Sequence, residues 1–266
     1  MQEREKISWE FQFVEQVDAP EFSGESSFPR YQEIPNTVPT ERVVRTLCHK
    51  VVHVDTLYQT ALTRFSCYQT SPTENALYQY GFALDGLILF MRNILDTLVQ
   101  LTFLLTNHED LLRDPHIKFN EIGKFLNLPA LETDIQRVLV GDGDHYLRDP
   151  NYVRIVQEVI SDNGKAAEMT IEANHARGFL DVINSLSNSF KHSFIHDGLF
   201  GESVNRVEPR VTSCFVKFNA FYEPHIYHDH HLKDLYLGFR SEVARILENQ
   251  RRYAVLSCSD AGQHER

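Results

Sequence analysis

The residues with the most chemistry in this 266-residue chain sit where they are least expected, on its most apolar stretch. Between Phe82 and Leu105 the sequence is dominated by Leu, Ile, Phe and Val, yet it carries Asp85, Arg92 and Asp96. At about 100° per residue a helix brings these three within about 40° of one another. Charges buried without partners are costly, so this face must meet water, a neighbouring helix with polar groups, or another protomer. One reading is an intrahelical Arg92–Asp96 pair backed by a neighbour. The other is a pocket, with Arg92 free to hold an anion and Asn93 beside it.

A second constellation lies at Asn188, Lys191 and His192. On a helix, Asp181, Asn188 and His192 share one face, opposite Phe179, Val182 and Phe190. Such a face is ordinarily just solvated. If instead it meets Arg92 and Asp96, it completes a polar pocket in which His192 is the group able to take a proton near neutral pH. A third cluster, His225, His228, His230 and His231, has the imidazole density of a zinc or nickel site. Adjacent His230 and His231 cannot both enter one cage from a regular element, and no Cys is near. The expectation is a polar strand-to-helix connection without metal, with His225, His228 and His230 as the ligands to test.

The run Arg92-Asn93-Ile-Leu-Asp96-Thr97 resembles the Arg-Asn-x-x-Asp-His element of bacterial HEPN-type helical domains (higher eukaryote and prokaryote nucleotide-binding). Asn188-x-x-Lys191-His192 is similar to a later-helix element of some of their relatives. The resemblance implies a helical fold, a homodimer and an RNA-related role. In active members paired protomers bring Arg and His together as a metal-independent ribonuclease site. It makes Arg92 and His192 the candidate catalytic pair, with Asp85, Asn93, Asp96, Asn188 and Lys191 as candidate binding residues. Here Thr97 stands where the family has His, and threonine is no base near neutral pH. The resemblance therefore points to binding of RNA or a protein partner with a degenerate or absent catalytic site. The alternatives are an active endoribonuclease of a defence or toxin system, and a regulatory protein-interaction module without nucleic acid.

These residues need elements to hold them. From Glu41, Val44, Leu47, Val51, Val54, Tyr58, Ala61, Phe65 and Tyr68 keep helical spacing over roughly seven turns, predicting a helix over 41–70. Pro72 stops it. Ser71 with Glu74 reads as a capping box for a second helix over 73–106, and so short a connection predicts an antiparallel hairpin. Helices are also expected over 120–127, 130–140, from Asp149-Pro150 to about 160, and over 173–194, with a loop at 141–145 and a turn at Asn163-Gly164. Residues 7–13 alternate as a strand. Residues 204–207 and 211–222 are rich in β-branched and aromatic residues and should pair with it. Asp229 reads as the cap of a last amphipathic helix. The expected class is mainly α: a long antiparallel hairpin or bundle with a small antiparallel sheet from the N-terminus and about 204–222. The divisions are an acidic arm at 1–40, a helical domain at 41–256 and a frayed tail at 257–266.

Net charge is −11, so bulk electrostatics repel a phosphate backbone, and any RNA site must be a local basic pocket. Residues 1–40 hold eight Asp/Glu and three Lys/Arg, a net of −5, which makes this arm a candidate for docking on a basic protein partner. Three charges at about 2.5–3.5 kcal/mol each near a bilayer centre make the apolar stretch a core helix rather than a membrane span. Four scattered cysteines without CxxC spacing predict a reduced, cytoplasmic protein. There is no phosphate loop, dinucleotide fingerprint, nucleophile elbow or zinc-binding HExxH, so no cofactor is expected.

Overall fold

Helix α1, Thr40–Thr70, and helix α2, Glu74–Thr106, form the predicted hairpin. The structure is a computed structural model that describes residues 19–35, 37–113, 154–160, 166–173, 179–192, 207–215 and 225–261. The pairing is antiparallel because partners on α2 fall in number as those on α1 rise: Lys50 reaches Asn93, His53 meets Phe90, Leu57 lies over Gly86, and Phe65 meets Tyr80. Every α1 position from Val44 to Phe65 in the apolar register is buried. Each such Leu, Val or Phe contributes about 1.5–3 kcal/mol by leaving water. Gly86 permits close approach, since a Cβ there would stand 3.2 Å from Leu57 Cδ1.

The helix ends are satisfied by groups other than those the sequence suggests. Thr73, not Ser71, caps α2, its hydroxyl accepting from the Ala76 amide at 3.2 Å. Pro39 precedes α1 and has no side-chain oxygen to offer. The Glu33 carboxylate takes that role, accepting from the Thr40 amide at 3.0 Å and its hydroxyl at 2.5 Å. A carboxylate at a helix N-terminus also complements the helix dipole. A short helix α3, His108–Arg113, follows α2.

The remaining elements are strands β1, Arg154–Ile160, and β2, Ala166–Ala173; helix α4, Phe179–His192; strands β3, Arg210–Phe215, and β4, His225–His231; and helix α5, Leu232–Ala261. The fold is mainly α with one small antiparallel sheet, of order β2-β1-β4-β3. Of the β-branched segment expected over 211–222, the described residues, to Phe215, form strand β3, and 216–222 lie outside the described residues, as do 204–206. The partner of β3 is β4, with Val211 opposite His230 and Ser213 opposite His228.

Four expectations are corrected. The segment from Asp149-Pro150 to 160 was expected to be helical, but 154–160 is strand β1, pairing with β2 and β4. Its run of Ile155, Val156, Val159 and Ile160 suits a pleated surface better than a helix. Residues 225–231 are an inner strand rather than a connection, so Asp229 lies in β4 and does not cap α5. The start of α5 is held by the Leu232 amide donating to the Pro209 carbonyl at 3.0 Å. Helix α4 begins at Phe179, and Ala173 ends β2. Helix α5 runs to Ala261, into the segment read as a tail. The expected strand at 7–13, helices at 120–127 and 130–140, loop at 141–145 and turn at 163–164 lie outside the described residues.

The long α2 passes a length-and-composition test for a membrane span. Fifteen of its residues are buried within the chain, against α1, α4 and α5. The described part of the acidic arm, from Ala19, packs on the helices, with Tyr31 and Ile34 in the core. Two buried polar knots fix it there. Arg240 of α5 donates to the Pro20 carbonyl at 2.9 Å and to Asp55 at 2.7 Å. Tyr236, stacked on Tyr58 at 4.0 Å, also donates to Asp55, and burial and that carboxylate push its phenol up to about 12.

In the second knot Gln250, fully buried, accepts from the Tyr31 hydroxyl at 2.5 Å. It donates to the Leu98 carbonyl at 3.1 Å and to Thr102 Oγ1 at 2.8 Å. Gln250→Leu keeps the apolar bulk but strands the buried Tyr31 hydroxyl, at about 1–3 kcal/mol, and removes the two bonds to Leu98 and Thr102. Urea unfolding should show a loss of about 2–4 kcal/mol. A loss under about 1 kcal/mol would show that the knot does not anchor the arm.

Candidate functional site

The polar stripe of α2 divides into a paired half and an unpaired half. In the paired half, Arg92 Nε donates to Asp96 Oδ2 at 2.8 Å, one turn along the same helix. Its Nη1 donates to Asn184 Oδ1 and to Ser187 Oγ, the latter at 3.2 Å, both on α4. The Ser187 hydroxyl in turn donates to the Asn184 carbonyl at 3.0 Å. Arg92 is only 12% exposed and Asp96 27%. The guanidinium therefore acts as a bracket between α2 and α4. Its planar fork suits this, because a single rigid group serves acceptors on two helices at once.

The two sequence constellations do meet, through different residues from those singled out. Asn184 and Ser187, both buried, were missed. A signal existed: Asp181, Asn184, Asn188 and Lys191 keep 3-4 spacing, so Asn184 extends the polar face already marked by its neighbours. Lys191 is exposed, and its charge is felt at Asp96, which brings it to the site. Asn188 is half-buried on the same helix. The side chains of Asp181 and His192 lie outside the described residues. Asn93 faces away from α4, is exposed, and takes a hydrogen bond from Lys50 Nζ of α1. The Thr97 hydroxyl, where the resemblance leads one to expect His, donates to the Asn93 carbonyl at 2.8 Å. That back-bond is a common helical habit of threonine and uses the hydroxyl proton within its own helix.

In the unpaired half, Asp85 lies two turns towards the N-terminus. Its Oδ1 is buried and has no hydrogen-bond partner, and the same holds for Asp96 Oδ1. Burial raises both carboxyls above the ordinary value of 3.8; for Asp96 the charges of Arg92 and Lys191 work in the opposite direction. Asp85 has no such compensation.

Elsewhere, His230 is buried in β4, and His231 Nδ1 lies 3.0 Å from Glu208 while its Nε2 lies 2.9 Å from Arg210 Nη1. Because a guanidinium only donates, Nε2 is the acceptor and Nδ1–H faces Glu208. Among the described residues, no group of three or more His, Cys, Asp or Glu side chains is placed to hold a metal ion. The side chains of His225 and His228 lie outside the described residues.

The chain matches no protein-family model, no curated protein and no solved structure.

Two outcomes follow from the stripe. Arg92→Ala removes the bracket and leaves Asp96 unpaired, which should cost about 3–5 kcal/mol in chemical denaturation; a change below about 1 kcal/mol would mean that α4 is held by apolar contact alone. Asp85 behaves differently. Its raised value means that the folded chain binds a proton more tightly than the unfolded one. Stability is then highest below the ordinary carboxylate value and falls as pH rises through the raised one. Asp85→Asn should raise stability at neutral pH and flatten that fall, read from melting temperatures between pH 3 and 7. A variant less stable than the parent at pH 7 would refute the strained-carboxylate reading.

Proposed function

We propose that the chain is a HEPN-like helical binding protein that acts by holding a protein partner, with a degenerate catalytic site. The observation that carries this reading is the engagement of Arg92 by Asp96, Asn184 and Ser187 of its own chain. A guanidinium so engaged must break buried bonds to grip a phosphate. The hydroxyl at Thr97 cannot replace the missing imidazole as a base. The net charge of −11 opposes a nucleic-acid backbone, and half-buried Lys50 and exposed Lys191 are small local exceptions. In this reading the protein works in the cytoplasm, a reducing setting that suits free Cys48 and Cys67.

The alternative, a ribonuclease using Arg92 on phosphate and His192 as base, makes opposite demands on the same residues. Labelled RNA incubated with the purified protein, with and without EDTA, should remain uncut. Any affinity for RNA should be unchanged in Lys191→Ala and His192→Ala. Cleavage that survives EDTA and disappears in Arg92→Ala or His192→Ala would replace this reading with the ribonuclease. RNA affinity lost in Lys191→Ala at unchanged melting temperature would replace it with an RNA-binding function.

A further inference from the structure

The outward face of α2 has the geometry of a helix seat. Tyr78, Phe82, Asp85 and Leu89 follow at 3-4 spacing along it, and Tyr78 and Phe82 are 72% and 77% exposed. Positions 82, 85, 86 and 89 stand at i, i+3, i+4 and i+7. This is the diamond of four residues into which a neighbouring helix inserts one side chain in knobs-into-holes packing. The diamond's small corner is Gly86, and Leu57 of α1 closes that side, 3.2 Å from where a Gly86 Cβ would stand. The remaining corners are two large apolar side chains and the carboxylate of Asp85.

That carboxylate decides what kind of helix fits. Asp85 is already partly stripped of water, with one oxygen buried and unbonded and no cation against it among the described residues. An incoming ammonium or guanidinium therefore gains more here than at a fully solvated carboxylate, because part of the desolvation is already spent. A second copy of the chain is poorly suited, since it would bring another Asp85 and a further net charge of −11 to the same face.

We propose that this face of α2 docks a basic amphipathic helix of a partner protein, an apolar side chain entering the diamond of Phe82, Asp85, Gly86 and Leu89 while a flanking Lys or Arg pairs with Asp85. The proposal rests on the protein-partner reading above and gives that partner its chemistry. It also explains why a destabilising carboxylate occupies this position: binding relieves it.

The probe is a synthetic helical peptide with leucines at heptad a and d positions and lysines flanking them; the control has glutamates in place of the lysines. Attraction to an acidic chain would hold the lysine peptide anywhere, so point variants carry the test. Anisotropy titrations should show binding of the lysine peptide only, weakened about tenfold by Phe82→Ala and about fivefold by Asp85→Asn. The exposed Val38→Ala, just before α1 at the other end of the hairpin, should leave it unchanged. Asp85→Asn should thus bind less while melting higher, a combination that a purely structural role would not produce. Equal binding of both peptides, no binding, or binding indifferent to Phe82→Ala overturns the proposal. So does a dimer, seen by sedimentation, that Phe82→Glu dissolves, since a second copy then covers the face. Failure of the peptide with RNA uncut and unbound removes this inference alone. RNA cleavage removes the reading beneath it.

Discussion

A guanidinium on the most apolar helix of a protein constrains everything packed near it, because it can neither lose its charge nor stay unbonded without large cost. Arg92 is in that position. One acceptor, Asp96, comes from its own helix a turn away, but one carboxylate does not saturate a five-donor fork. The other acceptors must arrive on a different element. That requirement fixes which face of α4 turns inward and at what height, since Asn184 and Ser187 have to reach Nη1. The apolar side of the same helix then places Phe179, Ile183 and Leu186 in the common core. A polar contact sets the register, and apolar burial supplies most of the stabilisation.

The hairpin was legible in the sequence because its signal is local and redundant. Val44 through Phe65 repeat one spacing so often that no competing structure buries them as well, and Pro72 fixes the break. The Arg92–Asp96 pair was legible for the same reason, being a matter of helical geometry alone. The acceptors on α4 were not, because the choice between a solvated polar face and a buried one depends on what lies opposite. Asn184 and Ser187 look like surface residues until α2 is set against them.

The sheet shows the opposite failure. Asp149-Pro150 is a good helix-start signal, yet the residues that follow form β1, whose ladder partners are β2 and the distant β4. Local capping preferences amount to about a kilocalorie per mole, and a strand buried between two neighbours gains more from its pairs. The histidine-rich strand was misread for a related reason. His225 to His231 looks too polar for an inner strand, but ladder hydrogen bonds are indifferent to side-chain polarity, and β4 pairs on both edges. Its location between β1 and β3 was information held by other parts of the chain.

The contrast between Arg92 and Asp85 separates two uses of buried charge on one helix face. Arg92 is matched by groups of its own chain, and such a match is what selection for stability alone produces. Asp85 is left with a raised carboxyl and an unbonded oxygen beside the exposed side chains of Phe82 and Leu89. Among the described residues nothing pairs with that oxygen. An asparagine would satisfy the helix at less electrostatic cost, and a leucine would extend the apolar stripe. A local rule broken without an internal gain is the mark of a site whose gain lies outside the chain. The family resemblance drew attention to Arg92, where the chemistry is most familiar. The unmatched charge lies two turns away, on the face where Tyr78 and Phe82 stand exposed.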